Sequence, residues 1–472
     1  MAVSAAIIMA AGQGKRMHSK LPKVLHKIAG KSMLAHVVTA VSAVRPDNLI
    51  VVLGHEKEQV EPVLREISPD AIVATQEQMD GTGGAVRAGM KPLGDISGTI
   101  LVTNGDVPLL TGETLEQLVE AHFAGGNQAT VLSAIVPDPS GYGRVIREHG
   151  QVAFIREDRD ATDTERAVKE INTGFYMFEA DALRTALEKL TPINDQGEYY
   201  LTDTIEIIAK AGGRVGSLPI DDHAQLEGVN DRVQLADRAA EFNRRITRKW
   251  MLAGVTIVDP ATTWIEADVE LAPDVTLLPG THLQGATSVA ADAVIGPDTT
   301  LKDVEVGEGA EVCRTHGSLS VIEAGATVGP FSYLRPGTVV GKNGKVGAFV
   351  ECKNAKIGEG TKVPHLTYCG DAVLGERVNI GAGTIFANYD GVVKSVSTVG
   401  DDSFIGSNSV LVAPVHVAAG AYVAAGSALT EDVGPGQLGV ARSRQHNSDG
   451  WVSKRRAGTK TEEAALRAEV TK

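Results

Sequence analysis

Residues 265–301 read IEADVELAPDVTLLPGTHLQGATSVAADAVIGPDTTL, and every sixth position (Ile265, Leu271, Leu277, Leu283, Val289, Ile295 and Leu301) is a large aliphatic. Two positions before most of these stands a small or branched residue, such as Val275, Thr281, Thr287, Ala293 and Thr299. Six residues advance an α-helix by about one and two-thirds turns, so no helix keeps this series on one face. Short strands joined by Gly, Asp and Pro corners do, and coils of such strands, each covering the next, make a parallel β-helix. The period returns on a second lattice through Ile322, Val328, Leu334, Val340 and Val346. A third runs through Val399, Ile405, Leu411, Val417, Val423 and Leu429. It fails near residues 302–321, 352–356 and 386–398, where loops on one face are expected. The last of these, FANYDGVVKSVST, has the aromatic, amide and basic groups of a ligand-contacting loop, and a solvated excursion explains it equally well.

Upstream of this region the pattern is different. To about residue 230, apolar runs at Ala5 to Ala10, Leu49 to Leu53 and Thr99 to Val102 alternate with segments of helical pattern at Ser32 to Val44 and Thr114 to Phe123. That alternation predicts a mostly parallel sheet covered by helices, with ligands beyond the carboxyl ends of the strands. Between the halves, Asp231 to Ala253 has no Gly or Pro and spaces Leu235, Ala239, Phe242, Ile246 and Trp250 as one face of a helix. Such a helix would span roughly 35 Å. The expected organisation is a nucleotide-handling α/β domain over 1–232, a linker helix over 233–253, a β-helix over 254–452 and a charged, mobile tail over 453–472.

A chain of 472 residues needs more than one core. With 59 acidic against 45 basic residues, the formal charge of −14 argues against a general nucleic-acid binder and requires any phosphate site to be built locally. Cys313, Cys352 and Cys369 have neither CxxC spacing nor even number, which fits a reducing, cytoplasmic compartment better than a disulfide framework. The opening AVSAAIIMAAG lacks a basic leader and is expected to be a buried first strand. No apolar run approaches the roughly 20 residues of a membrane span.

After that first strand comes AAGQGKRM, with Gly12, Gly14, Lys15 and Arg16, followed by Lys23 in LPKV. A glycine-rich turn lets backbone N–H groups approach phosphate, although a plain tight turn explains a GxG as well. A dinucleotide fingerprint would want a third glycine where Met17 stands, and the extra cations suit a nucleoside triphosphate instead. Asp106 in TNGDVP sits where a strand opens to solvent, placed to ligate Mg²⁺ or merely to cap a turn. Asn230 is a second candidate, or only the N-cap of the long helix.

The motifs AAGQGKRM, LPKVL, DGTGGA, NGDVPL, GYGRV, EINTG, GEYYLTD and EGVNDR occur in the order found in sugar-1-phosphate nucleotidyltransferases. More closely, from about Ala5 to Arg442, the chain resembles the bifunctional N-acetylglucosamine-1-phosphate uridyltransferase/glucosamine-1-phosphate acetyltransferase family. The resemblance implies a Rossmann-like N-terminal domain, a linker helix and a C-terminal left-handed parallel β-helix of hexapeptide repeats, assembled as a homotrimer with shared active sites. It implies an enzyme that supplies UDP-N-acetylglucosamine, a precursor of bacterial cell-envelope polymers. Met9, Ala10, Ala11, Gly12, Arg16, Lys23, Gln76, Gly81 and Thr82 would hold UTP, with Asn104 and Gly105 lining the same site and Asp106 and Asn230 ligating Mg²⁺. Gly143, Glu157 and Asn172 would contact the sugar. Two departures stand out: Lys15 replaces a common threonine and Gly84 a common histidine.

Within the hexad region, KVPHLTYCGD at Lys362 to Asp371 contains a histidine that a lone reading would leave structural. It lies among YLRPG, VECKNA, VNIGAGTIFANYDG and FIGSNSVLVAPV, which the resemblance matches to the acetyltransferase half. There His365 would be the general base, and a neutral imidazole suits removal of a proton from an acceptor amine. The Ala382 N–H would stabilise the oxyanion. Arg335, Lys353, Tyr368 and Lys394 would hold the sugar phosphate, and Asn379 and Asn388 the sugar hydroxyls. Ala382, Asn388, Tyr389, Ser407, Ala425 and Arg442 would contact acetyl-CoA.

Overall fold

In the computed structural model, which describes residues 2–54 and 56–470, the strand Ala5–Met9 lies at the heart of a mixed sheet. It runs parallel to Leu49–Leu53 on one side and to Thr99–Asn104 on the other, with Met9 beside both Val52 and Asn104. The sheet continues through Ile72–Thr75 at one edge and through Glu170–Glu179, Ala129–Ile135 and Val215–Ile220 towards the other. Glu170–Glu179 is antiparallel to both its neighbours. Ala5, Ala6, Ile7 and Ile8 have no exposed surface, as a strand covered on both faces requires. Helix Met33–Ala43 begins where the Ser32 side chain accepts from the Ala35 N–H, and helix Gly112–Gly125 begins on the Thr111 hydroxyl. This architecture leaves the turns after Met9 and Asn104 side by side at the carboxyl edge.

The long helix is Arg232–Leu252, and its N-cap is Asp231, whose carboxylate accepts from the Gln234 N–H at 2.9 Å. Asn230 is therefore free of the capping role that its position had allowed. Leu235, Ala239 and Phe242 pack against Met17, Ile28, Met33 and Val229. The helix belongs to the first of two compact units, which extends to Ala253 and includes Trp264–Val269; the second comprises Gly254–Thr263 and the chain from Glu270 onward.

The second unit is a left-handed parallel β-helix. One face is a ladder of short parallel strands from Thr256–Ile257 to Leu438–Gly439, and a second continuous sheet supplies the other two faces. Leu277, Leu283, Ile295, Leu301, Leu334, Val340, Ile405 and Leu411 have no exposed surface, so the hexad aliphatics fill the core. The small residues two positions earlier turn the corners. Thr281, Thr287, Thr338 and Thr384 are buried there, and each hydroxyl donates to the carbonyl three residues back. An inward hydroxyl thus satisfies a corner carbonyl that no strand reaches.

Of the three interruptions in the period, only the last is a loop. Thr276 pairs with Val294, 18 residues on, but Thr300 pairs with His316, 16 on, and Glu351 with Tyr368, 17 on. The phase slips at 302–321 and 352–356 because coils are shortened, and strands Thr300–Val306 and Thr315–Ile322 run through the first of these gaps. Ala372 pairs with Ser397, 25 on, so residues 388–396 are a true excursion. Trp451–Arg455 and Lys460–Val470 are helices, each without a buried residue; residues 471–472 lie outside the described residues. Among the described residues no helix is long and apolar enough to cross a membrane.

Candidate active sites

At the carboxyl edge of the N-terminal sheet is a cleft of about 690 Å³ lined by Met9, Ala10, Ala11, Gly12, Lys15, Arg16, Lys23, Gln76, Gly81, Thr82, Asn104, Asp106 and Asn230. Gly105 stays beneath it, its N–H on the Met9 carbonyl at 2.9 Å. The turn is shaped by Gly14, whose φ of +58° puts it in the left-handed region. A Cβ there would stand 2.6 Å from the Cβ of Lys23, so the missing side chain lets the two segments carrying cations close on each other.

Lys23 forms an ion pair with Asp106, and its ammonium also donates to Asn230 Oδ1 at 3.0 Å. A carboxylate and an amide oxygen from separate segments thus converge on one cation. Two protein oxygens with room for phosphate oxygens are the donor set that Mg²⁺ takes, so these residues fit that ion. Gly143, Glu157 and Asn172 form a second group. Asn172 donates its N–H to the Gly143 carbonyl at 2.7 Å, and Glu157 accepts from the Thr202 hydroxyl at 3.1 Å. Burial pushes the Glu157 carboxyl above its ordinary value, against the pull of Thr202. Asn172 Oδ1 accepts from the Gly174 N–H, and a Cβ on Gly174 would strike the Asn104 amide, which ties this group to the cleft.

In the β-helix the expected residues fall at two corners joined by the strand Tyr368–Gly370. His365 ends the strand Lys362–His365 at the first corner, with its side chain exposed. Its carbonyl accepts from Gly383 N–H at 3.2 Å and the Thr367 hydroxyl at 2.9 Å, while its imidazole makes no hydrogen bond among the described residues. Ala382 lies one coil on, and its N–H donates to no protein group among the described residues. Ser407 and Ala425 continue this column: the Ala382 carbonyl accepts from Asn408, and the Ser407 carbonyl from Gly426. Arg442 lies within 3.8 Å of a Cβ built on Gly426. Asn379 sits on the strand beside Lys362, set back from this corner.

The second corner gathers the cations. Arg335 donates to Glu351 at 2.9 Å, Glu351 is the register neighbour of Tyr368, and Lys353 pairs with Asp371 at 3.5 Å. Lys394 is held below its ordinary value chiefly by the adjoining ammonium of Lys353. Asn388 and Tyr389 enter here from the excursion. At the centre is Asp371, which the sequence reading missed. It accepts from Asn354 at 2.8 Å and from the Asn388 amide. Burial opposes its ionisation, but those two amides and Lys353 outweigh it and hold the carboxyl below its ordinary value. A signal was present: Asn354, Asp371 and Asn388 recur at intervals of one 17-residue coil.

Residues 6–163 match the MobA-like NTP transferase domain, and residues 397–431 match the hexapeptide repeat of succinyl-transferase. A bifunctional protein GlmU of Kineococcus radiotolerans is 53% identical across 98% of this chain and 95% of its own length. One of Paenarthrobacter aurescens is 52% identical across 99% and 95%. The chain belongs to the bifunctional GlmU family. In this GlmU-family chain a nucleotidyltransferase and a hexapeptide acyltransferase are joined, and one of the two candidate sites lies in each half. It is a bifunctional enzyme of UDP-N-acetylglucosamine synthesis, acetylating in the C-terminal half and transferring uridylate in the N-terminal half.

Proposed function

We propose that glucosamine-1-phosphate is acetylated from acetyl-CoA at the His365 corner and that the product is uridylylated from UTP in the N-terminal cleft. The observation that carries the second step is the convergence of Asp106 and Asn230 on the Lys23 cation. Mg²⁺ held by Asp106 and Asn230 would supply charge neutralisation for the triphosphate. Lys23 and Arg16 then disperse charge on the departing pyrophosphate, while a sugar-phosphate oxygen attacks the α-phosphorus in line. Asn104, Gly81 and Thr82 line the nucleotide, and Gly143, Glu157 and Asn172 take the sugar.

In the acetyl transfer His365 accepts the proton of the acceptor amine as it attacks the thioester carbonyl; the tetrahedral intermediate then collapses with cleavage of the C–S bond, and the proton passes from the imidazolium to the departing CoA thiolate. Its exposed and unpartnered imidazole supports that role. The free Ala382 N–H supports the oxyanion assignment. Arg335, Lys353, Tyr368 and Lys394 bind phosphate, and Asn379 and Asn388 the sugar. The acetyl-CoA set divides between two corners, with Ala382, Ser407, Ala425 and Arg442 at one and Asn388 and Tyr389 at the other. A homotrimer in which neighbouring subunits complete each site accounts for that division. Free Cys313, Cys352 and Cys369 accord with a cytoplasmic enzyme.

Chromatography of products from glucosamine-1-phosphate, acetyl-CoA and UTP tests the order. Omitting acetyl-CoA should leave no UDP-sugar, and N-acetylglucosamine-1-phosphate should restore it. Chelation should halt only the uridylyl step. UDP-sugar formed at full rate without acetyl-CoA would refute the sequence of steps.

A further inference from the structure

Gln76 is 6% exposed and lines the nucleotide cleft. Its amide nitrogen donates to Asp80 Oδ1 at 2.9 Å and to the Gly81 carbonyl at 3.0 Å. Both partners accept only, so turning the amide over would set its oxygen against a carboxylate and a carbonyl. With both N–H bonds engaged, the side chain offers the cleft its acceptor, Oε1.

Asp80 has its place because residue 84 has no side chain. The three nearest atoms to a Cβ built on Gly84 all belong to the Asp80 carboxylate, well inside contact distance. Gly84 lies inside helix Thr82–Met90 with no positive φ, so its backbone does not call for glycine. The segment is further fixed by the Tyr199 N–H on the Asp80 carbonyl at 2.7 Å and by the Leu201 N–H on Thr82 Oγ1 at 3.0 Å. The cations of the cleft, Lys15, Arg16 and Lys23, all come from the glycine-rich turn and the segment after it. A carboxylate at Asp80 repels phosphate, so the uncharged base occupies the Gln76 end.

We propose that Asp80, given room by Gly84, is a positioning residue that fixes the Gln76 amide with its oxygen toward the cleft and so selects uracil over cytosine. Uracil carries an N–H on its ring edge that Oε1 accepts. Cytosine presents a lone pair at the same ring position, and two acceptors face to face leave both unsatisfied. The inference rests on the reading of the cleft as a UTP site.

The test is kcat/KM for UTP and for CTP in the wild type, Asp80→Ala, Asp80→Asn, Gly84→Ala and Gln76→Ala, with acetyl transfer by the same preparations as a control for folding. Asp80→Ala should lower the UTP:CTP ratio by roughly three- to tenfold, chiefly through KM for UTP. Asp80→Asn, which keeps an oxygen for Gln76, should restore most of it. Gly84→Ala should reproduce the loss by displacing Asp80, and should add nothing to Asp80→Ala. An unchanged ratio in Asp80→Ala with a lowered one in Gln76→Ala would overturn the inference and leave the cleft as a UTP site. An unchanged ratio in both would overturn the inference through Gln76 itself, and absent UTP-dependent pyrophosphate release in the wild type would remove the underlying reading.

Discussion

Replacing Asp371 with alanine should cripple acetyl transfer although Asp371 itself is assigned no contact with substrate. Its carboxylate accepts from the Asn354 and Asn388 amides and faces the Lys353 ammonium. Removing it leaves a 7%-exposed Asn388 without its acceptor and lets two cations, Lys353 and Lys394, repel without a counter-charge. An unsatisfied buried donor costs about 1–3 kcal/mol, and a hydrogen bond to a charged group contributes about 1.5–3 kcal/mol. Water enters such a corner and returns part of this, so about 2–4 kcal/mol remains to be spent when the sugar phosphate reorders the site. At about 1.4 kcal/mol per factor of ten, kcat/KM for glucosamine-1-phosphate should fall by roughly 30- to 1,000-fold. Most of the loss should appear in KM, because phosphate and hydroxyl contacts exist in ground and transition states alike. Asp371→Asn keeps one oxygen and should lose about tenfold. The assay is CoA release followed with a thiol reagent, beside pyrophosphate release from UTP, which should stay at the wild-type rate. A kcat/KM within about threefold of wild type for Asp371→Ala would refute the reasoning.

Two further outcomes are expected. Gly14→Ala places a Cβ 2.6 Å from that of Lys23 at a φ of +58°, which costs about 1–2 kcal/mol in backbone alone; steady-state kinetics should show uridylyl transfer falling at least about tenfold with acetyl transfer intact. Glu157, raised by burial, takes up its proton at a pH above the ordinary carboxylate value of about 4.3. The ionised acceptor is present above that raised value and lost as pH falls through it, so KM for N-acetylglucosamine-1-phosphate should climb on acidification earlier than for an ordinary carboxylate, and Glu157→Gln should flatten the profile.

The β-helix was legible because one physical requirement, an aliphatic facing inward at each short strand, repeats along the chain with a period that no helix shares. What the period could not distinguish was a deleted corner residue from an inserted loop, since both shift the phase. Thr300–Val306 and Thr315–Ile322 therefore read as a loop when they are strands. The glycine-rich turn and Asp106 could be marked as candidates because each follows an apolar run, and the structure brings Lys23 from the next segment against Asp106. Asn230 was ambiguous with an N-cap until Asp231 was seen to take that bond. Asp371 and Asp80 were hidden for a common reason: the carboxylate of each bonds other side chains, and those partners, Asn354 and Asn388 for one and Gln76 for the other, are brought to it by coil stacking in the first case and by the loop between Thr75 and Thr82 in the second. The tail was read by composition as charged and mobile, and composition carries no periodicity that would mark the helices Trp451–Arg455 and Lys460–Val470.

The central claim is that two chemistries reside in separate halves of one chain. CoA release and UTP-dependent pyrophosphate release, measured on the same preparations of His365→Ala and Asp106→Ala, test it most directly. His365→Ala should abolish the first and leave the second at the wild-type rate, and Asp106→Ala should do the reverse. Normal acetylation by His365→Ala, or loss of both activities in either variant while it remains folded, would contradict the account.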